Sequence, residues 1–511
     1  MESEQPSPPS PPQSRSTLAG LVVVGALLGF VGLLFYVNLG PGQSGPAVGP
    51  GEFKSRGKGQ KRGGKAKSTR SKGKMGKGKA GKARGPEGLP PEALLHISPP
   101  YERPDAPAGA RNLVVVVPTS FRKDHVSPYG ADPALTPFLQ DVATHGARFG
   151  GLVSVGPLGR YTASAMLTGQ VPSVVDMQDP SDGGDGKVLA DDVTTLPEIL
   201  RDAGWRTYGV TGNFHLNAAA GLAQGFDSYR DSQPNGFDPA LRLEGPEAVQ
   251  IALSMIRGRS TEETARPFYL QVDLVDAHAP LHDIREVTEQ FDPKTPGSTY
   301  RAAVHRTDEY VRGLWDGLGQ LGFDRSNTFL VVVGDHGEGI SQPEHHGKAH
   351  GRYLYESSLD VIWLVEGPGV PEGRVIDGLA STTDVFPTVL DLLGLPVPTG
   401  IDGRSWATQV LGKADRTTRE RAFSDTWFAD VSRASVRTER MACQKDFGSK
   451  ENARDTFVDG CFDRKTDPDF RNVTMDDALM AELVAWRAEV SAHLTSPPSL
   501  VSGPAPGEEA P

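Results

Sequence analysis

Cysteine is nearly missing from this chain of 511 residues: Cys443 and Cys461 are the only two. Two cannot build a disulfide scaffold or a multi-cysteine zinc framework. Aromatic residues make up 7%, and acidic residues are absent from 54 to 84, where 14 residues are Lys or Arg. No aromatic side chain interleaves with those lysines, so base stacking on nucleic acid is the weakest reading of the segment. Its low apolar content predicts a flexible spacer. Clustered cations of this kind suit anionic lipid headgroups or anionic polymers. The rest of the chain has the opposite charge: 38 basic and 61 acidic residues follow Pro86, a net of −23. A hydrophobic content of 37% excludes a wholly disordered chain, while 60 Gly and 42 Pro demand many turns and linkers.

Long apolar runs are also scarce, with one exception. Leu18 to Val37 is twenty residues without a charge, enough at ~1.5 Å per residue to cross ~30 Å of hydrocarbon. A cleaved signal has a shorter apolar region, so the run predicts a retained single span and a membrane localisation. The expected organisation is a polar tail over 1–17, a span over 18–37, a Gly/Lys-rich linker over 38–110, an α/β core over 111–412, a C-terminal subdomain over 413–494 and a tail over 495–511.

Asn112 to Val117 (NLVVVV), Pro267 to Val275 (PFYLQVDLV) and Asn327 to Val333 (NTFLVVV) are β-branched runs of the kind buried on both faces of a sheet. Helical stretches such as Thr136 to His145 and Leu196 to Ala203 separate them, which predicts an α/β fold. Ligands of such sheets bind beyond the carboxyl ends of the strands. There the sequence places Asp276-Ala277-His278 and Asp335-His336-Gly337-Glu338, with His282, His345, His346 and His350 close in sequence. Acid and imidazole together point to a divalent metal or an anionic ester. An Asp-His pair can equally be a helix cap beside a core histidine.

Several segments resemble the sulfatase family of the alkaline phosphatase superfamily. NLVVVVPTSFRKDHVSPYG resembles its first strand and metal loop, and LVSVGPLGRYTASAMLTGQVPS its nucleophile segment. TLPEILRDAGWRTYGVTGNFHLN, VVVGDHGEGISQPEHHGKAHGRYLYESSLDV and TTDVFPTVLDLLGLPVPTGIDGRSW follow in the family's order. SVRTERMACQK and FDRKTDPDFRNVT resemble its small C-terminal sheet. The resemblance implies a large mixed, mostly parallel sheet flanked by helices, with a small C-terminal antiparallel sheet and helix. It implies hydrolysis of a sulfate or phosphate ester by a nucleophile beside a divalent metal, Zn, Mn or Ca.

Carried over by position, Asp335 and His336 match the metal pair, and His215, His278 and His350 match histidines that contact the substrate or leaving group. Other positions depart. The first metal Asp falls on Thr119, the nucleophile on Gly159, the following Arg on Ala163, and the Lys before the histidine motif on Asn213. Formylglycine is excluded, because neither cysteine stands in a Cys-x-Pro-x-Arg frame. Rescue would require Thr162 as a shifted nucleophile, Arg160 as a reshaping group, or Asp124 as a substitute carboxylate. The sequence therefore predicts an inactive sulfatase-like protein that binds an anionic ester, a polysaccharide or a partner. The alternative is an active metal-dependent hydrolase with a shifted nucleophile.

Thr474 can cap a helix through about Leu494, with Leu479, Leu483, Trp486 and Val490 along one face. The cysteines lie on segments that resemble neighbouring strands and can pair in an oxidising compartment. With the setting usual for the family, this favours an extracytoplasmic domain.

Overall fold

Three apolar runs identified in the sequence lie side by side at the centre of a ten-stranded sheet. In chain order the strands are β1 (Leu95–Ile97), β2 (Asn112–Pro118), β3 (Ala147–Val153), β4 (Arg206–Thr211), β5 (Ser228–Arg230), β6 (Phe268–Leu274), β7 (Thr328–Val333), β8 (Asp360–Val361), β9 (Trp363–Glu366) and β10 (Arg374–Ser381). Their spatial order is β1-β5-β4-β6-β2-β7-β9-β3-β10, with β8 on β3. β5, β4, β6, β2 and β7 are parallel neighbours, as are β3 and β10, whereas β1, β8 and β9 pair antiparallel. The computed structural model describes residues 95–98, 101, 103–175, 177, 188–232, 242–281, 291, 297–340, 350–414, 419–428, 431–449, 457–468 and 470–495. All lie in the unit Arg84–Pro511.

The period of two in β2 explains its central place. Leu113, Val115 and Val117 enter one apolar cluster, and Val114 and Val116 enter the other. A strand buried on both faces needs a cover on each. The helix Gly159–Thr168 contributes Ala163, Met166 and Leu167 on the first face, and Ser298–Gln320 contributes Tyr300, Val304 and Leu314 on the second. Helix Leu196–Asp202 begins in a capping box between Thr195 and Glu198.

A second, antiparallel sheet has the order β11 (Ala422–Thr426), β12 (Arg433–Arg437), β13 (Met441–Asp446) and β14 (Gly460–Asp463). Cys443 and Cys461 face each other across β13 and β14 and form a disulfide. Helix Asp477–Thr495 covers this sheet with Leu479, Leu483 and Val490 buried. Its start differs from the expected one. Thr474 pairs its backbone with Cys461, extending the sheet, and Asp476 Oδ1 instead accepts from Leu479 N at 3.0 Å.

The expected membrane localisation is corrected. Among the described residues no helix is long and apolar enough to cross a membrane. The run 18–37 that suggested the span lies outside the described residues, as do the basic segment 54–84 and the tail beyond 495, whereas the expected linker 38–110 gives way at Leu95–Ile97 to a strand paired with β5.

Candidate functional site

Four central strands end at the same rim, and each delivers polar residues to it. Thr119 and Ser120 follow β2, Asn213 and His215 follow β4, His278 follows β6, and Asp335 and His336 follow β7. Backbone bonds lock these ends together: Thr119 N donates to Leu274 O at 2.8 Å, and Phe121 N to His336 O at 2.8 Å. Ser120 adopts φ 58°, rare for a residue with a side chain, and so turns its N–H to Asp335 Oδ1 at 3.0 Å. His336 N donates to the same oxygen at 2.6 Å. Asp335 Oδ2, Thr119 Oγ1 and Ser120 Oγ are buried and have no hydrogen-bond partner among the described residues.

Gly159 stands opposite. It opens the helix Gly159–Thr168, and no side chain caps that N-terminus. Such an end directs backbone N–H groups and a positive dipole at an anion. A Cβ added at Gly159 would lie 2.8 Å from Asn213 Nδ2 and 3.1 Å from Asp335 Oδ2. The position matched to the nucleophile thus has neither a reactive atom nor room for one unless Asn213 moves. Arg160, next on the helix, donates from Nε to His215 O at 3.3 Å.

The structure brings the candidate histidines together. The His336 and His350 ring centroids are 4.6 Å apart and those of His350 and His278 4.9 Å, while His215 joins through Phe214, 4.3 Å from it and 5.9 Å from His278. Burial pushes His336 down to about 3, aided by charge on His350. Burial also lowers His278 and His215 to about 3, with Arg160 adding to the effect on His215. His350 differs. Burial opposes its charge, but its Nδ1 lies 3.1 Å from Glu338 Oε2 and its pKa is raised. His350 is thus the ring of the cluster whose charged form is favoured, through its buried carboxylate partner, while burial disfavours charge on the others.

The remaining sequence candidates lie elsewhere. Thr162 is fully buried in the helix, and its Oγ1 is 3.0 Å from Ser154 Oγ, which in turn donates to the Asp335 carbonyl at 2.6 Å. Its hydroxyl is set into the wall behind the site. Asp124 is engaged by both arms of the Arg122 guanidinium at 2.9 and 2.7 Å and by His125 at 2.9 Å. The surrounding protein would raise its carboxyl, but the side chain is largely exposed and these bonds hold the group well below the usual range. Asp124 therefore does not substitute for the missing carboxylate. His282, His345 and His346 lie outside the described residues.

Two groups were missed by sequence reasoning, and the pairing of Glu338 with His350 was not foreseen. Ser120 supplies the strained turn. Asp273 is buried on β6, where Gln271 Nε2 donates to it at 3.2 Å and burial pushes its carboxyl up to about 7. In YLQVDLV it occupies every second position with Tyr269 and Gln271, and this alternation of polar residues along a buried strand was the available signal.

The divalent metal implied by the resemblance does not fit these donors. Asp335 is a carboxylate at the end of β7, one of its oxygens already accepts two N–H groups, and burial pushes it up to about 7 against those bonds. Thr119 and Ser120 add neutral oxygens, and His336 Nε2 is 3.6 Å from Asp335 Oδ2. Among the described residues no three His, Cys, Asp or Glu side chains are arranged to hold an ion. A hard divalent cation takes several oxygen ligands with compensating charge, which the donors among the described residues do not offer.

Residues 111–395 match the family model described as sulfatase, and residues 344–494 match that of the C-terminal region of N-sulphoglucosamine sulphohydrolase. An N-acetylgalactosamine-6-sulfatase of Canis lupus familiaris is 26% identical over 337 residues, which cover 56% of this chain and 63% of the relative. The chain thus spans less than two thirds of that relative's length. Among solved structures, one from the metabolism of multiple glycosaminoglycans by Bacteroides thetaiotaomicron has a TM-score of 0.60 at 19% identity, covering 76% of this chain and 97% of the other. A second, in complex with its substrate D-glucosamine-2-N,6-O-disulfate, has a TM-score of 0.58 at 16% identity and the same coverage. These likenesses show the fold, with its mixed, mostly parallel sheet and small antiparallel sheet.

Proposed function

The chain belongs to the sulfatase family, and we propose that it holds a sulfated saccharide at the family's cleft without cleaving it. One observation carries the reading. At Gly159 an added Cβ would stand 2.8 Å from Asn213 Nδ2 and 3.1 Å from Asp335 Oδ2, so the nucleophile position is both empty of a reactive atom and enclosed. Ester hydrolysis depends on every member of its site acting as a unit, and loss of the nucleophile alone removes most of the rate.

Binding needs less. The uncapped helix start, the Arg160 guanidinium, the Asn213 amide and the imidazoles of His215, His278 and His350 supply donors and positive charge for a sulfo group. The choice of a saccharide rests on the named relatives, an N-acetylgalactosamine-6-sulfatase and a protein solved with a disulfated glucosamine. The alternative of an active hydrolase using Thr162 is supported less well, because that hydroxyl is bonded to Ser154 within the wall.

Calorimetric titration of the full-length chain with sulfate tests the reading. Binding is expected, weakened several-fold in Arg160→Ala. Absence of sulfate binding to the native chain would overturn it.

A further inference from the structure

The C-terminal sheet is fastened to the segments that carry Gly159 and His350. Ser424 Oγ donates to Ser154 O at 2.6 Å, Asp425 N to Val155 O at 2.9 Å, and the Tyr161 hydroxyl to Trp427 O at 3.2 Å. Thr426 Oγ1 donates to Gly351 O at 2.5 Å. These bonds fasten the end of β11 both to the loop leading into Gly159 and to the residue that follows His350. Arg487 backs the segment from the C-terminal helix, donating to Asp425 Oδ2 at 2.8 Å with its guanidinium 3.9 Å over the Trp427 ring.

Phe428 comes next, beside Gly351 and Leu158. A Cβ on Gly351 would stand 3.3 Å from Phe428 Cδ1 and 3.4 Å from Leu158 Cδ2. Gly351 has φ +87°, so the backbone there favours glycine and leaves the two apolar side chains facing one small space. Phe428 and Leu158 are both half-buried and keep accessible surface. Leu158 immediately precedes Gly159, and Gly351 immediately follows His350. An apolar wall therefore borders a site otherwise built of guanidinium, amide and imidazole. Ligand sites commonly join an apolar lining to a few placed polar groups.

A pyranose sulfate has both characters, a charged ester and a C–H face that lies well on an aromatic ring. We infer that Phe428, with Leu158, is the wall against which the sugar ring of a sulfated saccharide rests while its sulfo group is held by Arg160 and the neighbouring imidazoles. The inference rests on the anion-binding reading above and adds the residue that selects a saccharide over a free anion.

The test compares two probes, inorganic sulfate and D-glucosamine-2-N,6-O-disulfate, on the full-length chain by calorimetry. The native chain binds the sugar more tightly than sulfate. Phe428→Ala lowers sugar affinity about tenfold, the scale of an aromatic contact, and leaves sulfate affinity unchanged. Phe428→Tyr keeps the ring and restores the sugar. Sugar binding by Phe428→Ala at the native affinity overturns the inference, and so does an equal loss of both probes, which would make Phe428 a structural support only. A native chain that binds sulfate but not the sugar overturns this inference alone. One that binds neither overturns the anion-binding reading as well.

Discussion

Gly159 and Asp335 face each other across the cleft, with the carboxylate Oδ2 3.1 Å from the point where a side chain on residue 159 would begin. The same point is 2.8 Å from Asn213 Nδ2, so three elements of the sheet rim close on a position with no side chain. Gly159→Ala must displace the Asn213 amide, whose Oδ1 is held by His215 N at 3.0 Å. Overpacking of this kind costs about 1–3 kcal/mol, offset by up to ~1 kcal/mol from the better helix former. Denaturant unfolding should show a net loss of roughly 1–2 kcal/mol. An unchanged midpoint would mean that the cleft has spare room at Gly159.

Glu356 is expected to make the protein acid-sensitive. Its carboxylate lies 2.8 Å from Arg437 and 3.0 Å from Arg464, all three side chains being nearly buried. Burial alone would raise its pKa, but the two guanidinium groups outweigh that and hold it down to about 2 from an ordinary 4.5. A carboxyl lowered on folding contributes stability that is present above pH 4.5 and is lost as pH falls toward 2. Glu356→Gln leaves two buried cations without their counter-charge, which costs about 3–5 kcal/mol. Unfolding measured against pH should show a steeper loss below 4.5 in the native chain than in this variant. Parallel curves would contradict the assignment.

The Cys443–Cys461 disulfide, 18 residues apart in sequence, ties β13 to β14. Replacing both cysteines with alanine should cost about 3 kcal/mol through the freed loop of the unfolded chain. Thermal unfolding of the double variant at the native midpoint would show that the sheet and its covering helix suffice without the bond.

The fold was legible because its central strands are runs such as NLVVVV and NTFLVVV, which only a doubly covered sheet can bury. β2, β6 and β7 stand where such runs belong. The helix Gly159–Thr168 was less visible. Its sequence GRYTASAMLT is buried from Tyr161 to Thr168, so no polar face marks its period. Asp335 and His336 could be read from their place at a strand end, since rim residues follow from sheet topology. The strained Ser120 could not, because its N–H partner Asp335 lies 215 residues away, and the alternation that marks Asp273 in YLQVDLV went unread. Thr162 and Asp124 met the chemical requirement on paper, but Ser154 and Arg122 occupy them, and no spacing rule reports a partner of that kind.

The most direct test of binding without cleavage is hydrolysis of aryl sulfate, phosphate and phosphonate esters by the purified full-length chain, with Mn, Zn or Ca supplied and Asp335→Ala as the control. The expected result is equal, background turnover by both proteins with every ester and metal, beside measurable sulfate binding by the native chain. Turnover by the native chain above the Asp335→Ala control would contradict it and place a working nucleophile in the cleft beside Gly159.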